Sequence, residues 1–192
     1  MNHTLQVAKY VIADWIAAVV AWFLFFSYRK FVVDPLVFSH PQEIFGDIKL
    51  YLGMLVIPLF WIILYVMAGS YRNIYRKTRI KELAITVITC FIGVLIIYFT
   101  LLLDDVVVSH RSHYESFFVL FGLQVVFTAG FRLYITTITV KKIHHKIIGF
   151  NTIIVGGGKN AVDIYTELEN QFPSSGNKFI GFVTVKDSDN YL

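Results

Sequence analysis

Charge is scarce in this chain: Asp, Glu, Lys and Arg together make up 16% of its 192 residues, against about 25% in ordinary soluble domains. That excludes a simple soluble domain. Cysteine is almost absent, and Cys90 alone, inside an apolar run, permits neither an intramolecular disulfide nor a thiolate metal cluster. It reads as a small core residue. With four prolines and twelve glycines the chain is neither collagen-like nor of low complexity, and 56% hydrophobic residues exclude a charge-rich disordered tail. What remains is a membrane protein with room for one bundle and the start of a soluble domain.

Four segments carry the run of about 20 apolar residues that crossing the hydrocarbon requires: 10–28, 50–68, 83–103 and 116–140. The fourth has a soft inner end, because Arg132 either reaches the headgroups from a span ending near Phe131 or sits in a helix that continues along the interface. The first segment is a retained anchor: its leading region carries only Lys9, and Ser27-Tyr28-Arg29-Lys30 offers no small-residue cleavage pattern.

The net charge of +4 and pI near 9.1 matter less than where the cations lie. Lys9, Arg72, Arg76, Lys77, Arg79, Lys81, Lys141, Lys142 and Lys146 fall on one side of the spans, nine against the four of Arg29, Lys30, Lys49 and Arg111 on the other. By the positive-inside rule both termini are cytoplasmic, and the loops around Pro35 to Gln42 and Asp104 to His113 face outward. Tyr10, Trp15, Tyr28, Tyr71, Tyr75 and Tyr114 sit near span ends, where amphipathic rings favour the interface. The cluster from Arg72 to Lys81 is accordingly a topology signal touching anionic lipid, with no nucleic acid as partner.

After Lys146 the composition changes. Ile147 to Val155 is a β-branched run leading into Gly156-Gly157-Gly158, the segment from Lys159 to Asn170 has helical apolar spacing, Pro173 to Asn177 breaks it, and Phe179 to Val185 fits a second strand. The fold class expected is therefore an α-helical membrane bundle of four transmembrane helices over residues 1–146, followed over 147–192 by the strand-helix-strand start of a Rossmann-like α/β nucleotide-binding domain.

Gly156, Gly157, Gly158 and Ala161 match G-x-G-x-x-[GA] directly after a strand and at the opening of a helix. Glycines let the backbone approach a phosphate, and the helix N-terminus supplies free N–H groups and partial positive charge. A nucleotide phosphate is the ligand this turn suits; a glycine turn that binds nothing is the alternative. An acid for the ribose is expected about 20 residues on, and Asp187 lies later than that.

Asp14 is an ionisable group inside the first span, and such groups are usually paired or functional. Arg132 lies at similar depth in the fourth, so the two are expected to pair across the bundle, the alternative being that each reaches the headgroups separately. Pro58 is expected to kink the second span. His110 and His113 face the opposite side from His144 and His145, so they share no metal site, and Asp104-Asp105 marks a loop boundary. No nucleophile elbow, Walker lysine or HExxH occurs, which leaves the chain without a catalytic residue or metal ligand of its own. Gly53, Gly93, Gly122 and Gly130 are candidate points of close helix approach.

The order of these parts resembles a known family. Four spans, GSYRNIYR after the second, FR near the end of the fourth, then NTIIVGGGKNAVDIYTELE and KFIGFV look like the N-terminal region of large bacterial polyprenyl-phosphate glycosylphosphotransferases. The resemblance covers essentially the whole chain. It implies a membrane module and a nucleotide-binding-like domain ahead of a catalytic domain that moves a sugar-1-phosphate from a UDP-sugar to undecaprenyl phosphate in exopolysaccharide or O-antigen assembly at the bacterial inner membrane. Magnesium would belong to that catalytic domain, whose motifs have no counterpart in residues 1–192. One strand-helix-strand unit leaves sheet edges and an apolar face uncovered, so the chain is expected to be part of a longer protein. Three other readings stay open: the front of a membrane-bound nucleotide-sugar dehydratase or epimerase using NAD, a nucleotide-gated channel or transporter, and an oligomeric membrane scaffold. No TVGYG-type filter favours the channel.

Overall fold

The computed structural model describes residues 3–33, 42–72, 78–102 and 110–183. Helix α1 spans His3–Tyr28 and runs into a π-helical turn at Arg29–Val33; the short α2 is Gln42–Phe45, α3 is Ile48–Met67, and α4 is Arg79–Ile97, followed by a second π-helical turn at Tyr98–Leu102. Helix α5 covers His110–His144, and strand β1 (Phe150–Val155), helix α6 (Lys159–Asn170) and strand β2 (Asn177–Val183) follow. The chain divides into two compact units, Asn2–Thr136 and Thr137–Leu192.

In the first unit, buried residues on α1 recur three and four apart: Tyr10, Ala13, Asp14, Ala17, Ala18, Ala21 and Phe25. This is the stripe of a helix with one packed face, and its alanines let neighbouring backbones come close. The packed core joins Ala18 and Phe25 to Ile57, Trp61 and Tyr65 of α3, Cys90, Val94 and Ile97 of α4, and Leu120 of α5. Two large indoles fit because glycines face them. A Cβ on Gly53 would collide with the Trp22 ring, and one on Gly93 with the Trp61 ring and Leu64. Gly53 and Gly93 are thus points of close approach within this unit, whereas a Cβ on Gly122 or Gly130 would meet open space.

Around this core the surface is apolar. Leu52, Leu55, Leu59, Ile63 and Val66 of α3 and Phe118 and Val126 of α5 are exposed. Among the described residues four helices are long and apolar enough to cross a membrane, and only 28% to 39% of the most apolar stretch of each is buried within the protein. Hydrocarbon, unlike water, accepts such an exterior while the helices satisfy their own backbone groups. Pro58 is accommodated inside α3, which continues without a break to Met67. The fourth helix does not stop at Phe131: it runs unbroken to His144, with Arg132 fully buried in it rather than extended to headgroups.

Helix ends are fixed by specific groups. Asp47 caps α3, accepting from the Lys49 backbone N–H at 2.9 Å, and its other oxygen meets Lys30 Nζ at 2.8 Å. The Lys30 ammonium holds the Asp47 carboxyl below the usual range, aided by the Lys49 N–H against the opposing cost of burial. Thr78 caps α4, accepting from Lys81 N–H at 3.4 Å. At the end of α3, Gly69 takes a positive φ of 66° and the Ser70 N–H donates to Tyr65 O at 2.9 Å. This reversal, for which glycine is the natural residue, turns Tyr71 back over the bundle.

In the second unit β1 and β2 pair in parallel, Phe150 opposite Asn177 and Val155 opposite Val183, with a register shift between Thr152 and Ile153. Helix α6 joins them, its Ala161 buried and the Tyr165 ring edge-on to Phe179 and Phe182 at 5.4 and 5.8 Å. The parallel strand-helix-strand unit and the limits of α6 agree with the sequence reading. Strand β1 begins at Phe150 rather than Ile147, because the Ile147 and Ile148 N–H groups both donate to Lys142 O and close the end of α5. Strand β2 begins at Asn177, two residues early, since the Phe150 N–H reaches back to Gly176 O at 2.7 Å and starts the pairing there.

Two outcomes test this packing. Gly93→Val should destabilise the detergent-solubilised chain by about 1–3 kcal/mol through the clash with Trp61, whereas Gly122→Val should leave its melting temperature unchanged. Because the Asp47 pKa is lowered in the fold, its contribution is present at neutral pH and is lost as pH falls below about 4. Asp47→Asn should flatten that acid limb of a stability-against-pH profile followed by tryptophan fluorescence.

Candidate functional site

The most unusual chemistry in the first unit is a buried polar cluster. Gln124, Thr128, Arg132 and Thr136 recur every fourth residue along α5, so they form one line on the helix, and all four are buried. Such a line inside an otherwise apolar span is costly unless each group finds a partner. Each does. The Arg132 guanidinium meets the Asp14 carboxylate side-on, Nε donating to Oδ1 at 2.8 Å and Nη2 to Oδ2 at 2.7 Å. Its Nη1 donates to Thr86 Oγ1 at 3.3 Å and lies 3.6 Å from Glu82 Oε1. The planar cation rests over the Tyr65 ring, 4.2 Å from its centroid, and Trp61 stacks on the other partner of that pair at 5.6 Å from Tyr65.

Further hydroxyls extend the network. The Tyr71 hydroxyl donates to Asp14 Oδ2 at 2.7 Å, and its ring lies 5.9 Å from the guanidinium. Burial, and then the charge of Asp14 beside it, push the Tyr71 hydroxyl above its ordinary range, so it remains a donor. Gln124 Nε2 donates to the Tyr65 hydroxyl at 3.3 Å and to Thr128 at 3.1 Å, and the Tyr10 and Thr136 hydroxyls lie 2.7 Å apart.

The expected pairing of Asp14 with Arg132 is thus present, and neither reaches the headgroups separately. Glu82, Thr86, Tyr65, Gln124 and Thr128 complete a site in which only the two charged spans were foreseen; the signal available was the four-residue repeat of polar residues on either side of Arg132. Tyr71, which follows the second span, turns its hydroxyl onto Asp14. The guanidinium is bound by carboxylate, hydroxyl and aromatic face, which makes this a positioning cluster tying α1, α4, α5 and the turn after α3 together. Among the described residues no group of His, Cys, Asp and Glu is arranged to hold a metal.

The second unit holds the glycine turn. Gly156 and Gly158 have positive φ angles of 140° and 88°. The Gly156 N–H is taken by the sheet, donating to Val183 O at 2.9 Å, and Gly158 O accepts from Ala161 and Val162 N–H at 3.2 and 3.4 Å. Gly158 caps α6 with no side-chain hydrogen bond, and the first turn carries no acid. The Ala161 and Val162 amides are thus held within the helix start, and Gly157 lies between the two positive-φ glycines that turn the chain from β1 into α6. Ala161 is buried at 7% exposure. Asp187 lies outside the described residues, as do Asp104, Asp105, Arg76 and Lys77.

Breaking the buried pair leaves a charge without its partner. Asp14→Asn and Arg132→Gln should each destabilise the detergent-solubilised chain by about 3–5 kcal/mol. Combining Asp14→Leu with Arg132→Met should cost less than the sum of those two changes made singly; additive losses in thermal melts would show that the groups act independently. Comparisons of the chain with protein-family models, curated proteins and solved structures find no match.

Proposed function

We propose that this chain is the non-catalytic membrane and regulatory front end of a bacterial sugar transferase, one that moves a sugar-1-phosphate from a UDP-sugar to undecaprenyl phosphate in exopolysaccharide or O-antigen assembly. The observation that supports it best is the succession of parts: four helices long and apolar enough to cross a membrane, then at once a parallel strand-helix-strand unit with a glycine-capped helix start.

In this reading the helical unit anchors the protein in the inner membrane with both termini in the cytoplasm. The second unit begins a Rossmann-like domain whose turn at Gly156, Gly157 and Gly158 takes a nucleotide phosphate. Magnesium, UDP-sugar and undecaprenyl phosphate belong to a catalytic domain further along the protein. The Asp14 and Arg132 cluster fixes the bundle and touches no reacting atom.

Expression of the longer gene product that includes these residues, with UDP-sugar and undecaprenyl phosphate, should release UMP and leave sugar phosphate on the lipid, while residues 1–192 alone should release none. An NAD-dependent change of the nucleotide sugar without UMP would assign the chain to a dehydratase or epimerase instead. Absence of any turnover by the longer product would favour a scaffold.

A further inference from the structure

The end of the β1 and β2 pair opposite the glycine turn carries a cavity of about 580 Å³, within the range of about 300–1,000 Å³ common to small-molecule sites. It lies at the amino ends of both strands and the carboxyl end of α6, lined among others by Lys146, Ile147, Asn151, Tyr165, Glu169 and Lys178.

Its charge favours an anion. The carboxyl end of a helix is a negative pole, but here Lys146 Nζ donates to Glu169 O and Oε1, both at 2.9 Å, capping that end and neutralising the carboxylate. Lys178 is then the charge in excess, on an exposed position of β2. Asn151, also exposed, and Tyr165 add neutral hydrogen-bonding groups to the wall.

Position identifies the source of the anion. Lys146 adopts a left-handed φ of 56° and donates its N–H to Ile143 O, so the chain leaves α5 abruptly at the edge of the cavity. It lies two positions past His144, the end of a helix apolar enough to span a membrane, a reach of at most about 7 Å. The headgroup layer on each side of the hydrocarbon is about 5–8 Å deep. Lys141 and Lys142 occupy the last turn of α5 and Ile147, 71% exposed, forms an apolar lip. We infer that the cavity at the amino end of the strand pair binds the phosphate of an anionic lipid headgroup, with Lys178 as its charge partner and Ile147 against the acyl region. This goes beyond the transferase reading and rests only on α5 ending at a membrane surface.

Native mass spectrometry of the full chain in detergent, titrated with dihexanoyl phosphatidylglycerol, tests it. One lipid should bind per chain, about five-fold more weakly in Lys178→Gln, as expected for loss of one cation at a lipid surface. Lys9→Gln, an exposed lysine in the other unit, should bind as the unmodified chain does. An unchanged affinity in Lys178→Gln, an equal loss in Lys9→Gln, or equal binding of dihexanoyl phosphatidylcholine would overturn the assignment. Displacement by inorganic phosphate at matching concentration would also overturn it, by making a soluble phosphate the ligand. Alkaline extraction of membranes separately checks that the chain is embedded, so that failure of the premise is distinguishable from failure of the site.

Discussion

A charge placed in hydrocarbon has to be answered by another, and the Asp14 to Arg132 pair is the constraint around which the helical unit is organised. Between apolar helices surrounded by lipid there is no hydrophobic force to select one rotation over another, because lipid tails solvate leucine as well as a neighbouring helix does. A side-on contact at 2.7 and 2.8 Å does select. It fixes which face of α1 meets α5, and the additional contacts of the guanidinium with Thr86 and Glu82 bring α4 into the same arrangement. The apolar core then fills the space this choice leaves, with Gly53 and Gly93 opening room for two indoles. Desolvating the pair costs several kcal/mol, roughly, for each ion, so its value lies in specificity of arrangement more than in net stability.

The turn after α3 shows how backbone chemistry serves that cluster. Gly69 reverses the chain through a left-handed residue, and the hydroxyl of Tyr71 consequently reaches Asp14. That contact also supplies the second acceptor site of Asp14 Oδ2 with a donor, so that the carboxylate is held from two sides.

These cases separate what a sequence reveals from what it conceals. The limits of α6 were legible because its apolar spacing starts at a glycine turn and is cut off before Pro173. Pairing of Asp14 with Arg132 was legible because isolated ionisable groups within spans have few possible partners. Tyr71 was not, since its direction depends on one turn, and Glu82 was not, since an acid in a first helical turn is accounted for by the helix dipole alone. A glycine in a span reads alike whichever way it faces, which is why Gly53 and Gly93 could not be told from Gly122 and Gly130. The β-branched run at Ile147 and Ile148 promised strand, but its amides were already committed to Lys142 O.

The two ends of the small sheet carry opposite solutions to one electrostatic problem. At its carboxyl end a helix begins, and the positive pole of α6 meets a turn with neither acid nor side-chain cap. At the amino end the same helix finishes, and its negative pole would repel an anion. There Lys146 is spent on Glu169, carbonyl and carboxylate together, and a second lysine is needed before the end becomes attractive to phosphate. Lys178 occupies that position because β2 begins beside β1 at Asn177. The register of the strand pair, set by the Phe150 N–H reaching Gly176 O, therefore decides whether the amino-terminal cavity can hold a negative group.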